Sequence, residues 1–175
     1  MVPDRVGAAA RNHARCRRAQ PRFPGWADLG ARFVFILLLI GLGEEPAWRG
    51  FALPRLMTGR SALAASLILG VLHIVWHLPL LGVEYDLGNV FPWMAGVIAF
   101  AVVVTWIYLH TEGSLLLPML FHSSVNVSAV AFGWFSGVDL LRLWWLFGAV
   151  WVLAALVVVL RHGSALARYA VPAQS

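Results

Sequence analysis

Five long hydrophobic runs, separated by short polar segments, organise the chain. Each run is about 20 residues long, the length that an α-helix needs to cross the hydrocarbon core of a bilayer. The runs lack the alternation of apolar and polar residues that is typical of strands in a membrane β-barrel. We therefore predict an all-α fold, a polytopic transmembrane helix bundle. Its five membrane helices are expected at about residues 28–53, 61–81, 91–109, 114–136 and 141–160.

The same pattern divides the chain into one core and two tails. Residues 1–27 contain many arginines and no helical periodicity, which predicts a disordered tail, and residues 162–175 predict a polar C-terminal tail. The core, residues 28–161, is expected to begin with Asp28 as the N-cap of the first helix. That helix is expected to continue past the Glu44–Glu45 pair, with a kink at Pro46.

Composition supports a membrane location. The chain is 61% hydrophobic and only 12% charged, whereas a soluble domain is about 45–50% apolar. We expect an integral, multi-pass protein of a bacterial plasma membrane, with the lipid bilayer as its first partner. The net charge of +5 arises mostly from N-terminal arginines, for which an anionic lipid surface is a better partner than nucleic acid. A single cysteine, Cys16, excludes an internal disulfide.

Two charge signals disagree about topology. The arginines of the N-terminal tail favour a cytoplasmic N-terminus. In contrast, Arg55, Arg60 and Arg161 share the other membrane face in a five-helix arrangement, opposite a loop that holds Glu84 and Asp86. The second signal favours a cytoplasmic C-terminus, and we prefer it because it draws on several short loops.

Three charged residues directly follow the first hydrophobic run: Glu44, Glu45 and Arg49. A charge inside lipid costs roughly 3 kcal/mol on insertion scales, so these residues require partners. Glu45 and Arg49 are four residues apart, so on a helix they lie on one face and can form an ion pair. Glu44 is then the carboxylate left for chemistry.

Two further helices carry polar pairs with the same spacing. His73 and His77 lie on the second helix, and His122 and Asn126 lie on the fourth. If the first two helices form an antiparallel hairpin, Glu44 lies within about 5 Å of the depth of His73 and His77, at 1.5 Å per residue. His122 is nearer the start of its helix, so it must be brought deeper either by tilt of that helix or by a lowered helix start, and the sequence does not decide between the two.

Such a cluster fits hydrolysis in either of two ways. Glu44 can take a proton from water, with His77 sharing it and with His122 and Asn126 donating to an oxyanion. Alternatively, His77 and His122 bind a divalent metal ion such as zinc, which activates the water. His73 is expected to support the site, and the zincin motif H-E-x-x-H is absent.

Three segments resemble the motifs of the CPBP family, intramembrane proteases of the CAAX-processing and bacteriocin-processing (ABI) type. Residues 44–49, E-E-P-A-W-R, resemble the E-E-x-x-x-R motif; H-I-V-W-H at 73–77 resembles aromatic-x-x-x-His; and H-S-S-V-N at 122–126 resembles H-x-x-x-N. The resemblance implies that Glu44 is the general base, that His77, His122 and Asn126 complete the site, and that Glu45 and Arg49 support it. The chain departs from the pattern at His73, where the family has an aromatic residue.

The combined interpretation is an intramembrane endopeptidase. It would hydrolyse a peptide bond in a prenylated CAAX-type peptide or in another hydrophobic, membrane-associated peptide. Two other classes remain open: a non-catalytic immunity or scaffold protein that binds a peptide in the same groove, and a small proton or metal transporter. No feature of the sequence indicates the natural substrate or the oligomeric state.

Overall fold

The computed structural model describes residues 24–82 and 87–167. Within these residues the structure is helical and contains no β-strand, so the predicted fold class is confirmed. Five helices are long and apolar enough to span a membrane: α1 (Trp26–Met57), α2 (Ala62–Leu80), α3 (Leu87–His110), α4 (Leu116–Trp134) and α5 (Gly137–Ala165). The predictions for Cys16, Glu84, Asp86 and most of both tails lie outside the described residues.

Helix α1 begins at Trp26, two residues before the predicted start. Gly25 occupies the N-cap position, so the assignment of Asp28 as the N-cap is wrong. Asp28 instead accepts a hydrogen bond from the Gly25 N–H, at 3.2 Å. A carboxylate three positions into a helix can satisfy a donor of the first turn in this way, and it also favours the positive end of the helix dipole.

The turns of α1 widen on both sides of the glutamate pair. The α-helical segment Leu42–Glu45 lies between π-helical segments at Leu37–Gly41 and Pro46–Ala52. Proline lacks an N–H group and disturbs regular α-helical hydrogen bonding, which accounts for a change of helix type at Pro46. The helix continues through Pro46, as expected, and π-helical turns are frequent at functional sites.

Three other boundaries refine the predicted spans. Helix α2 is α-helical over Ala62–His77 and ends in a 3-10 segment, Leu78–Leu80. Helix α4 is α-helical over Leu116–Ser128 and ends similarly, at Ala129–Trp134. Helix α5 is α-helical over Gly137–His162, so residues 137–140, which lie between two of the predicted spans, form its first turn.

Helix α3 is the centre of the bundle and packs along both α5 and α2. Glycines permit this close approach: a Cβ atom on Gly148 would lie 2.6 Å from the carbonyl oxygen of Pro92, and one on Gly70 would lie 2.9 Å from Cα of Ile98. Small residues at helix contacts are a common means of packing in membranes. This packing leaves α1 and α4 on one side of α3, where the polar residues meet.

The chain after α5 differs from the predicted polar tail. Leu166 is fully buried and packs in the same hydrophobic cluster as Ala62 and Val158. Its φ of 51° is in the left-handed region, which turns the chain back beneath the ends of the helices. The first residues of the 162–175 segment therefore belong to the packed core.

Candidate active site

Glu45 and Arg49 form the predicted ion pair at the bottom of the site. Arg49 Nη1 donates to Glu45 Oε1 at 2.8 Å, and both side chains are fully buried. The pair follows from helical spacing, since residues four apart share a face. The guanidinium also lies against the ring of Phe100, with Cζ 5.9 Å from the ring centroid, a cation–π distance. We call this buried set the Glu45 layer.

His122 contacts the Glu45 layer and also lines the cavity described below. Its Nδ1 lies 2.7 Å from Glu45 Oε1. A carboxylate only accepts hydrogen bonds, so Nδ1 carries the hydrogen and donates it. In a neutral imidazole the remaining nitrogen, Nε2, then bears a lone pair. Glu45 thereby fixes which nitrogen of His122 is available for chemistry.

Glu44, His73 and His122 form a compact cluster, which we call the Glu44 cluster. One ligand-type atom from each of the three residues lies within 4.8 Å of the other two. Glu44 Oε2 is 3.7 Å from His73 Nε2, outside hydrogen-bond distance, and it has no hydrogen-bond partner among the described residues. The Glu44 side chain is 20% exposed, in contrast to the fully buried Glu45.

The depth of α4 explains how His122 reaches this cluster. A Cβ atom on Gly50 would lie 3.3 Å from a methyl carbon of Leu115, so α4 begins beside Gly50, seven residues before the end of α1. One on Gly41 would lie 3.0 Å from the hydroxyl oxygen of Ser123. Helix α4 therefore begins deeper than the end of α1, so a lowered helix start, one of the two expected possibilities, contributes to the depth of His122.

A stack of rings holds the two histidines of α2. The His73 and His77 rings are parallel, with centroids 4.7 Å apart, and the Trp48 indole stacks on the other side of His73 at 5.3 Å. His77 Nδ1 donates to the backbone carbonyl of His73 at 2.9 Å. The structure thus places His73 in the cluster with Glu44 and His122, and His77 one turn further along α2. The sequence analysis had given His73 a supporting role and had named His77 and His122 as the metal ligands, and of those two only His122 lies in the cluster.

The Glu44 cluster forms part of the wall of a cavity of about 620 Å³. His77 and Asn126 also line it, so the four residues predicted to be catalytic all border one space. The rest of the lining is mostly aromatic and aliphatic, as is usual for a ligand-binding cavity. It includes Ile36, Ile40, Trp93, Phe100, Phe132, Trp144, Phe147 and Trp151.

The donor set of the Glu44 cluster fits a divalent transition metal. Two imidazoles and one carboxylate are a recurrent ligand set for catalytic zinc, which leaves a coordination position for water or substrate. The Glu45 carboxylate on His122 Nδ1 matches the outer-shell partner that orients a metal-binding histidine. The unpaired Glu44 Oε2 is consistent with the same use.

Sequence reasoning missed three residues that shape the site. Trp48 lies inside the first motif but was not assigned a contact, and its ring supports His73. Phe100 lies on the uncharged α3, and its ring contacts His122 edge-on with centroids 5.1 Å apart. Asn89 lies at the start of α3 and lines the cavity. Trp48 is four residues after Glu44, a spacing that places both side chains on one helix face and could have indicated its contact with the site. Phe100 lies in a hydrophobic run, where no such pattern distinguishes it from its neighbours.

Comparison with known proteins identifies the relatives of this chain. The model of the family described as "Type II CAAX prenyl endopeptidase Rce1-like" matches residues 26–128, more than half of the chain. The matched region contains all seven residues that the sequence analysis assigned to the site.

Among curated proteins, "CAAX prenyl protease 2" of Methanococcus maripaludis is 30% identical over 122 residues. The alignment covers 63% of this chain and 45% of that protein, so the chain spans less than half the length of this relative. No solved structure matches the chain. The family match over the region that carries the site shows that the chain belongs to the Rce1-like family of type II CAAX prenyl endopeptidases.

Proposed function

We propose that this chain is an intramembrane endopeptidase whose substrate is a prenylated CAAX-type peptide or another membrane-associated peptide. The observation that carries the proposal is the Glu44 cluster on the wall of a large, mostly apolar cavity. Family membership adds support, because the matched family is described as a CAAX prenyl endopeptidase and the archaeal relative is named a CAAX prenyl protease. The cavity is large enough to take part of a peptide together with apolar substituents.

Glu44 is the proposed general base. Its side chain lines the cavity and is 20% exposed, and its Oε2 atom is buried without a hydrogen-bond partner among the described residues. A carboxylate in that position can take a proton from a water molecule as the oxygen of that water attacks the peptide carbonyl. The same carboxyl group can then give the proton to the departing amine.

His122 and Asn126 have different roles in this proposal. Neutral His122 uses its only N–H group on Glu45, so its Nε2 accepts or ligates rather than donates. Asn126 lies one helical turn further along α4 and lines the cavity, and its NH₂ group is a donor without any change of protonation. We therefore assign oxyanion stabilisation chiefly to Asn126.

In a metal-dependent form of this proposal, Glu44, His73 and His122 would hold a divalent metal ion such as zinc, and Glu44 would then be a ligand rather than the base. When bound, such an ion supplies Lewis-acid polarisation of water or of the peptide carbonyl. In this arrangement the His73–His77–Trp48 stack keeps the His73 ring in place, and Glu45 keeps the His122 ring in place. A metal-free mechanism would use the same Glu44 and Asn126, so metal dependence requires its own measurement.

Peptide cleavage tests this proposal directly. A panel of membrane-anchored peptides, with and without a prenyl group, would be incubated with purified protein and with its Glu44→Gln variant, each with and without a chelator. We expect cleavage by the wild type and a loss of at least about 100-fold in the variant, the lower range for loss of a general base.

The outcomes separate the alternatives. Chelator sensitivity that zinc reverses would support the metal-dependent form, and cleavage that survives chelation would support the metal-free form. Equal cleavage by wild type and Glu44→Gln would contradict the proposal. Ion flux in proteoliposomes without cleavage would favour a transporter, and peptide binding without cleavage or flux would favour a scaffold.

A further inference from the structure

The cavity has a polar end and a mostly apolar end. The polar end is the Glu44 cluster, near the middle of the bundle. The other end is lined by Leu80, Asn89, Phe135 and Leu140. These residues come from the end of α2, the start of α3, the end of α4 and the start of α5, which meet at one membrane face. A chain that lies in the cavity therefore extends from the Glu44 cluster towards this face.

Asn89 is the exception to the apolar character of this far end. Among the described lining residues, it is the only carboxylate, imidazole or amide side chain outside the three motifs. It is only 7% exposed. Its amide nitrogen and oxygen are not among the fully enclosed polar atoms without a partner, so a group that enters the cavity can reach this amide.

The backbone position of Asn89 makes this orientation unusual. Helix α3 begins with a 3-10 turn, Leu87–Asn89, and Asn89 is the N-cap of its α-helical part, Val90–His110. Asparagine in that position normally accepts a hydrogen bond from the first turn of its own helix. Here its side chain makes no capping hydrogen bond. A capping interaction is worth about 1 kcal/mol, and this side chain borders the cavity without making one.

Asn89 also has a defined place relative to the reactive groups. Trp93 lies one turn further along α3, and its ring contacts His77 edge-on with centroids 6.0 Å apart. His77 in turn stacks on His73 of the Glu44 cluster. Asn89 is therefore beyond Trp93, about one helical turn (roughly 5 Å) nearer the membrane face.

We propose that Asn89 forms a subsite for the main chain of a bound peptide, between the Glu44 cluster and the membrane face. This proposal rests on the proposed function. The side-chain amide has the same donor and acceptor groups as a peptide bond, so its NH₂ group donates to a substrate carbonyl and its oxygen accepts from a substrate N–H. Such contacts are independent of side-chain identity. Asn89 thus sets the register of the peptide relative to Glu44, while the aromatic walls contact its side chains.

Steady-state kinetics of two variants test the role of Asn89. In Asn89→Ala we expect KM for a cleaved peptide to rise about three- to tenfold, with kcat changed by less than about twofold, as for loss of one neutral hydrogen bond. Asn89→Asp gives a nearly equal N-cap residue but has no NH₂ donor. We therefore expect its KM to resemble that of Asn89→Ala, with an unchanged melting temperature in both variants.

Two results would overturn the subsite. A lower melting temperature in Asn89→Ala, restored by Asn89→Asp and without a change in KM, would show a capping role instead. A KM that is equal in all three proteins would remove the contact altogether. Ser124→Ala is the matched control, because the exposed Ser124 hydroxyl donates to the Leu120 carbonyl on α4, and its KM should equal that of the wild type.

A binding experiment separates failure of the subsite from failure of the proposed function. The affinities of Glu44→Gln and of the Glu44→Gln/Asn89→Ala double variant would be measured for peptides in which one amide at a time is N-methylated. We expect one methylated position to weaken binding to the first protein and to have little effect on the second. The same loss in both proteins, or no binding to either, would overturn the subsite even if the wild type cleaves peptides. Absence of cleavage with the expected binding pattern would contradict only the proposed function.

Discussion

Two glutamates that are adjacent in sequence have contrasting surroundings. Glu45 is fully buried, and its Oε1 atom accepts hydrogen bonds from both Arg49 and His122. Glu44 is 20% exposed to the cavity, with the nearest imidazole nitrogen of His73 at 3.7 Å. The α-helix between them turns by about 100° per residue, so consecutive side chains enter different environments. One carboxylate is compensated by the protein, and the other is left for something that the cavity admits.

The difference shows how one short motif provides both structure and chemistry. The Glu45 layer connects α1 to α4 through fixed hydrogen bonds. The Glu44 cluster uses the positions fixed by that layer, because the His122 ring belongs to both. Damage to the Glu45 layer should therefore appear as lost stability, and damage to the Glu44 cluster as lost binding or turnover.

Removal of the arginine should produce the largest effect on stability. Arg49→Ala leaves the buried Glu45 carboxylate without its cationic partner, which typically costs about 3–5 kcal/mol. We expect a correspondingly lower free energy of unfolding in detergent, measured with a denaturant series. An unchanged unfolding curve would show that the Glu45 layer is not buried in the folded protein.

Separate replacement of the two α2 histidines by phenylalanine should affect metal binding to different extents. His73→Phe restores the aromatic residue of the family pattern and keeps the ring stack, but it removes a ligand. Loss of an outer-shell partner typically lowers metal affinity roughly 10–100-fold. Because His73→Phe removes a ligand itself, we expect it to lower zinc affinity by more than this range. His77→Phe should lower zinc affinity by less than the roughly 10–100-fold typical of an outer-shell partner. Titration calorimetry of both variants would measure the two zinc affinities. A larger loss in His77→Phe would assign the ligand to His77, the alternative considered in the sequence analysis.

An exposed ion pair provides the smallest effect and a control for Arg49. Arg142 Nη1 and Asp139 Oδ1 are 3.2 Å apart, but both side chains are more than two-thirds exposed. Arg142→Ala should change the free energy of unfolding by less than about 1 kcal/mol, as is typical of surface pairs. A loss similar to that of Arg49→Ala would mean that burial does not explain the difference between the two pairs.

Helical periodicity predicted much of this arrangement from the sequence. The five spans, the Glu45–Arg49 pair and the need to bring His122 deeper all follow from hydrophobic run lengths and helical spacing. These features depend on local geometry, which the order of residues determines directly.

The choice between His73 and His77 could not be predicted in the same way. Both residues lie on one face of α2, and one helical turn separates them, so spacing alone does not show which lies beside Glu44. The depth at which α1 and α2 pack decides it, and the π-helical turns that flank Leu42–Glu45 affect that depth. Asn89 was missed for a related reason: an asparagine before a helix predicts a cap, and only the fold shows that its side chain borders the cavity instead.

The most direct test of the division between the two carboxylates compares Glu44→Gln with Glu45→Gln in the same preparations. Turnover of one peptide and thermal unfolding in one detergent would be measured for both variants and the wild type. We predict that Glu44→Gln loses turnover and keeps the wild-type melting temperature, whereas Glu45→Gln lowers the melting temperature because Arg49 loses its buried counter-ion. Full turnover in Glu44→Gln, or wild-type stability in Glu45→Gln, would contradict the separation of chemistry from structure in this motif.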